Sequence, residues 1–234
     1  MLIQEFDEAV NPLPHHKELN HKLWETGHLK PDVRYTLLRI AKHFYKFLEL
    51  PDLKLRDITV SGSNAAFGYS EHSDLDLHLV VDIPKDHVDL VQLFDAKKNQ
   101  YNASYDITIK GIPVELYVQD SRQEHYSSGI YSVMHNKWLV KPTQEEVGVT
   151  HKEIKNKARN YAGKINQALR SKDLNISKSA MDDLKRLRRA GLEKNGEYSV
   201  ENLAFKLLRA RGQIDKLRKH TNKLQSAELS LGEQ

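Results

Sequence analysis

The sequence predicts an α+β fold: a small mixed β-sheet core with packed helices, followed by a C-terminal helical domain. Three observations carry this. Apolar residues alternate with period two around residues 58–61, along the Asp74-Leu-Asp-Leu-His-Leu-Val-Val-Asp82 run and over 112–118, the spacing of half-buried strands. They recur at three- and four-residue spacing in 31–48 and again from about 153 onward, the spacing of amphipathic helices. Charge divides the same way: residues 151–225 hold 20 Lys and Arg against 8 Asp and Glu, a net +12, which leaves the remainder at −8 within the total of +4. The expected organisation is an N-terminal extension (1–30), a core (31–142), a basic helical domain (143–225) and a frayed tail (226–234).

The extension contains Pro12, Pro14 and the pair His15-His16, read as exposed and without a metal role. Pro31 suits the first turn of a helix over 31–48, whose Val33, Leu37, Leu38, Ala41, Phe44, Tyr45 and Leu48 form one apolar face. A strand at 58–61 ends at Gly62-Ser63, where glycine lets backbone amides approach a phosphate closely. On the next strand Leu75, Leu77 and Leu79 face the core, so Asp74 and Asp76 project together, roughly 7 Å apart. His78 falls on the same face, two residues further along, as a neighbour of the acids.

Ile83-Pro84 ends that strand, and Asp86 is expected to cap a helix through about Asn99. Strands at 105–110 and 112–118 form a hairpin about Gly111, with Glu115 opposite in orientation to Val114, Leu116 and Val118. Residues 129–142 read as two short strands turning at His135-Asn136, with Tyr131 and Trp138 closing the sheet edge. Helices follow at 153–171, at 177–190 with Gly191 as C-cap, and from a cap at Ser199 through Leu208, extending to about Leu224 despite Gly212.

Composition excludes several classes. The absence of cysteine removes disulfides, zinc-thiolate sites and thiol nucleophiles, so any metal must use oxygen or imidazole ligands. No run of about 18 apolar residues marks a membrane span, and the N-terminus lacks a basic segment followed by a long apolar one. A cytoplasmic protein is expected.

Gly62-Ser63, ten intervening residues, then Asp74-Leu75-Asp76-Leu77, with Ser73 directly before the first aspartate and Glu115 on a later strand, resembles the signature of the DNA polymerase β-like nucleotidyltransferase superfamily. Many members carry Asp where this chain has Glu115. The stretches 188–192 and 196–209 resemble segments of predicted nucleotidyltransferases of tailed bacteriophages, which would place the protein in host cytoplasm. The resemblance implies a compact catalytic core with a helical appendage. It also implies transfer of a nucleoside monophosphate from an NTP, ATP before the others, to an acceptor hydroxyl.

In that reading Asp74, Asp76 and Glu115 are the catalytic and metal-binding residues for two Mg2+ ions, with Mn2+ as a substitute. The Gly62 amide and Ser63 hydroxyl hold the β- and γ-phosphates, and Ser73 is an extra phosphate contact. Lys157, Arg159, Lys164, Lys185, Arg186, Arg188, Arg189 and Lys206 are candidates to neutralise the triphosphate. The basic domain makes nucleic acid a partner, with an RNA 3′ end among the acceptors; protein, small-molecule and nucleotide hydroxyls are the others. The alternative is a catalytically silent, antitoxin-like or regulatory binding protein of the same fold.

Overall fold

The computed structural model describes residues 16–49, 53–71, 73–84, 88–144 and 148–230. The chain divides into two compact units, residues 14–145 and the helical unit from residue 146 onward. Asp86, Pro12, Pro14 and His15 lie outside the described residues.

The first unit opens with a small hairpin, β1 (Trp24–Glu25) and β2 (His28–Leu29), for which no element was expected. Thr26 and Gly27, both at positive φ, make its two-residue turn. Leu23, Trp24 and Leu29 are buried in the unit's core, so this segment is part of the packed structure. Helix α1 (Pro31–Phe47) carries Pro31 in its first turn and buries Val33, Leu37, Ile40, Ala41 and Phe44. Then come β3 (Lys54–Ser61), a 3-10 turn at Ser63–Ala65, β4 (Leu75–Asp82), α2 (Val88–Ser104), β5 (Thr108–Ile109), β6 (Ile112–Asp120), β7 (Ile130–Ser132) and β8 (Lys137–Val140).

The six-stranded sheet has the order β5-β6-β4-β3-β7-β8. Among the described strands only β4 and β6 pair in parallel, and parallel neighbours need a long crossover, here containing α2. Leu75, Leu77, Leu79 and Val81 of β4 share one buried cluster with Val60, Leu116, Phe44 of α1 and Phe94 and Tyr101 of α2. Alternation sends Asp76, His78, Val80 and Asp82 to the other face. Trp24 stacks on Trp138 at 4.8 Å and meets Tyr131 edge to face at 5.1 Å, so these aromatics pack at the sheet's β7–β8 end.

One strand is shorter than expected. The hairpin at Lys110-Gly111 forms, both residues at positive φ, but β5 covers only two of residues 105–110. Asn102 is the reason: its side-chain amide donates to the Leu116 carbonyl and its oxygen accepts from the Leu116 amide, both at 3.1 Å, occupying the β6 edge where a longer β5 would pair. Helix α2 correspondingly runs five residues beyond the expected Asn99.

The helical unit contains α3 (His151–Arg170), α4 (Leu174–Asn195), α5 (Val200–Ala210) and α6 (Gln213–Leu229) around a separate core of Ile154, Ile165, Leu184, Leu203, Leu208 and Leu217. Thr150 and Glu153 form a reciprocal capping box, and Ser199 caps α5 by accepting from the Asn202 amide. Three boundaries correct the sequence reading. Gly191 is not a C-cap: it lies inside α4, which starts at Leu174 and ends at Gly196, the residue that reaches φ +65. A Cβ on Gly191 would sit 2.6 Å from the Glu201 Cβ and 2.7 Å from the Ser199 Oγ, so its role is close helix packing. The third helix does not continue to Leu224; Gly212, at φ +67, separates α5 from α6. Residues 226–229, expected to be frayed, complete α6.

Candidate active site

The site is built where β3, β4 and β6 end together. Register places Asp76 opposite Ser61 on one side and Glu115 on the other. Asp74 directly precedes β4. One carboxylate oxygen from each of Asp74, Asp76 and Glu115 lies within 4.8 Å of the others, and all three residues are half-buried. At an effective dielectric of about 20, each such pair repels by roughly 3 kcal/mol before solvent screening, a standing demand for positive charge. Three hard oxygen donors so close together could hold a hard divalent cation.

Gly62 makes room for this cluster. It adopts φ +77, and a Cβ there would lie 2.1 Å from the Asp76 Oδ2, so any other residue would drive into the carboxylate. The Gly62 amide donates to Ser127 Oγ at 3.2 Å, and Ser127 in turn donates to the Gly129 carbonyl at 3.1 Å. Gly129 is itself constrained, since its Cβ would fall 2.0 Å from the Ala65 carbonyl oxygen.

Ser63 Oγ donates to Ser73 Oγ at 2.9 Å, and Ser73 Oγ also accepts from the Ser70 amide at 2.9 Å. The structure therefore brings Gly62, Ser63 and Ser73 together beside the three acids. Asn64 holds the two halves of the motif in place. Fully buried, it donates from Nδ2 to the Asp74 carbonyl at 2.8 Å, accepts at Oδ1 from Asn20, and accepts at its own carbonyl from the Trp24 indole at 2.7 Å. Sequence reasoning passed over Asn64, although a polar residue directly after Gly-Ser was the available signal.

Behind the acids lies a histidine pair. His78 Nε2 and His125 Nε2 each stand 3.0 Å from Ser61 Oγ. A hydroxyl has one proton to give, so if both contacts are hydrogen bonds at least one imidazole is the donor. Burial, with a smaller contribution from His125, pushes the His78 pKa down to about 3, which keeps it neutral and unsuited to take up a second proton near pH 7. Tyr117 stacks on His78 at 5.0 Å. Burial first, then the charges of Asp76 and Glu115, push its phenol far above the ordinary tyrosine range, so it stays protonated. His125 and Ser127 sit on the irregular connection between β6 and β7, where no sequence pattern marks them. A cavity of about 460 Å3 continues along the same sheet face, with Thr59, Val80, Gln119 and His125 in its lining.

Among the described residues no helix is long and apolar enough to cross a membrane. No family model matches the chain, and no curated protein matches it. Among solved structures it is similar to the STING-associated CdnE c-di-GMP synthase from Capnocytophaga granulosa, at 14% identity and a TM-score of 0.26, over 86% of this chain and 84% of that one. A likeness that weak carries no argument of its own; the reading of the site rests on its residues.

Proposed function

We propose that this protein is a nucleotidyltransferase: it moves a nucleoside monophosphate from an NTP, ATP first among them, to an acceptor hydroxyl and releases pyrophosphate. The observation that supports this best is the meeting of Asp74, Asp76 and Glu115 within 4.8 Å beside a Gly-Ser turn whose glycine has no room for a side chain. The acceptor oxygen attacks the α-phosphorus, the bond to the bridging oxygen breaks, and pyrophosphate leaves with that electron pair.

Each residue has a task in this reading. The Gly62 amide and Ser63 hydroxyl donate to phosphate oxygens of the departing pyrophosphate. Asp74, Asp76 and Glu115 would hold divalent cations, and Glu115, opposite Asp76 on the neighbouring β6, would take the acceptor's proton. Mg2+ or Mn2+ supplies positive charge against the phosphate oxygens and lowers the cost of ionising the acceptor. The net +12 of residues 151–225 favours an RNA 3′ end as acceptor, with the cytoplasm as the setting.

The test is incubation with each α-labelled NTP and Mg2+, alone and with bulk tRNA, total RNA or cell extract, beside Asp74→Asn/Asp76→Asn. Label that moves only with the intact acids supports transfer and names donor and acceptor class. Metal-dependent NTP binding with no label moved, in Mg2+ or Mn2+, replaces this reading with a silent nucleotide-binding protein.

A further inference from the structure

The densest basic run of the helical unit, Lys185 to Arg189 on α4, is largely satisfied from within. Lys185 pairs with Asp182 at 3.7 Å, Arg186 pairs with Asp183, and Arg188 lies over the Phe205 ring at 5.1 Å. The surface hollow of about 580 Å3 on this helix, bounded by Ser179, Asp182, Lys185, Arg186 and Arg189, thus carries an acid of its own. Helix α6 differs. Lys216, Lys219 and Lys223 recur at three- and four-residue spacing, which puts them on one edge over a rise of about 10 Å. All three are exposed, and none has an acidic partner among the described residues. The acid on this helix nearest to them, Asp215, is engaged with Arg218 at 3.5 Å.

Packing fixes where this edge points and adds to it. Ile214 and Leu217 are buried and hold α6 to the core, leaving the lysines toward solvent. His220 Nε2 meets the Ser171 carbonyl oxygen at 3.0 Å, which pins the α3–α4 connection, and with it exposed Lys172, beside α6. The exposed residues that lie among the three lysines on α6, Arg218 and Asn222, are polar, and Lys172 follows directly on the residue bonded to His220. Protein interfaces are depleted of lysine, whereas the nucleic-acid backbone is bound by such mobile point charges through release of its counterions.

We infer that Lys172, Lys216, Lys219 and Lys223 form a binding surface for the phosphate backbone of a nucleic acid. The surface is defined by unpaired charge, not by the number of basic residues, so α4 is its natural control. The inference uses nothing from the carboxylate site. RNA binding without label transfer would leave it standing and remove the transferase reading, and label transfer without RNA binding would do the reverse.

The experiment is fluorescence anisotropy of a labelled single-stranded RNA, and of DNA of the same sequence, across a salt series without NTP. Wild type is compared with Lys216→Gln/Lys219→Gln/Lys223→Gln and with Lys185→Gln/Arg186→Gln/Arg189→Gln, which removes the same charge from α4. The α6 variant should bind about tenfold or more weakly, and the slope of log K against log salt should flatten by about 2. The α4 variant should stay within about threefold of wild type, and the two probes decide between RNA and DNA. Equal losses in both variants, no loss in the α6 variant, or no binding of either probe by wild type would overturn the inference.

Discussion

Gly62 shows how a residue can be constrained by more than its place in the sequence suggests. Its sequence position suggests an amide offered to phosphate, but the tighter constraint is the Asp76 oxygen, 2.1 Å from where a Cβ would be. Two effects should therefore add in Gly62→Ala: positive-φ backbone strain of about 1–3 kcal/mol and displacement of a carboxylate. Gly111, at φ +80 with nothing within 4 Å of its Cβ position, isolates the first effect. Both alanine variants should melt below wild type; Mg2+ or Mn2+ should raise the melting temperature of wild type and of Gly111→Ala but not of Gly62→Ala. A cation response retained in Gly62→Ala would separate this glycine from the carboxylate cluster. At this scale Gly62, Ser63, Ser73, Asp74 and Asp76 were legible because they sit in one short stretch with fixed spacing. Asn64, His125 and Ser127 were not, because their contacts depend on a buried network and on an irregular connection that no periodicity encodes.

Among the elements, the boundaries marked by local side-chain chemistry were the easiest to read. Pro31 and Ser199 mark helix starts by chemistry confined to one turn, and both stand where the sequence puts them. Gly191 misled because a glycine after an apolar run looks the same whether it ends a helix or admits a neighbour. Only the approach of Ser199 and Glu201 distinguishes the cases. Alanine at two helical glycines should accordingly have opposite effects. Gly163 in α3 is exposed with open space at its Cβ position, so Gly163→Ala should stabilise by up to about 1 kcal/mol through helix propensity. Gly191→Ala should destabilise by about 1–3 kcal/mol by overpacking, despite the same gain in propensity. Urea denaturation of the two variants checks the signs; a stabilised Gly191→Ala would mean that α5 yields at little cost. The shortened β5 has a similar lesson, since the Asn102 side chain takes the backbone partners that strand pairing would have used.

At the scale of the whole molecule, the change from two-residue to helical periodicity and the step in charge are properties of long stretches, which is why the α+β class was legible without the details. The two cores share no residue. Both tryptophans, Trp24 and Trp138, belong to the sheet unit, whereas the helical unit supplies most of the helix signal at 222 nm. Unfolding followed by tryptophan fluorescence and by circular dichroism should therefore give transitions that do not coincide; a single superimposable transition would mean that the two cores unfold as one. The Ser127 hydroxyl on the Gly62 amide has a consequence for what the protein admits. A ligand oxygen must outcompete a hydroxyl already tethered in place, so a neutral oxygen gains almost nothing, whereas an anionic one gains the stronger charge-assisted bond. In the proposed nucleotide site the turn would thus discriminate by charge. Ser127→Ala should remove the competitor, raising affinity for the triphosphate while leaving affinity for a nucleoside, which has no phosphate to bring to the turn, unchanged in parallel calorimetric titrations, and equal factors would separate Ser127 from phosphate binding.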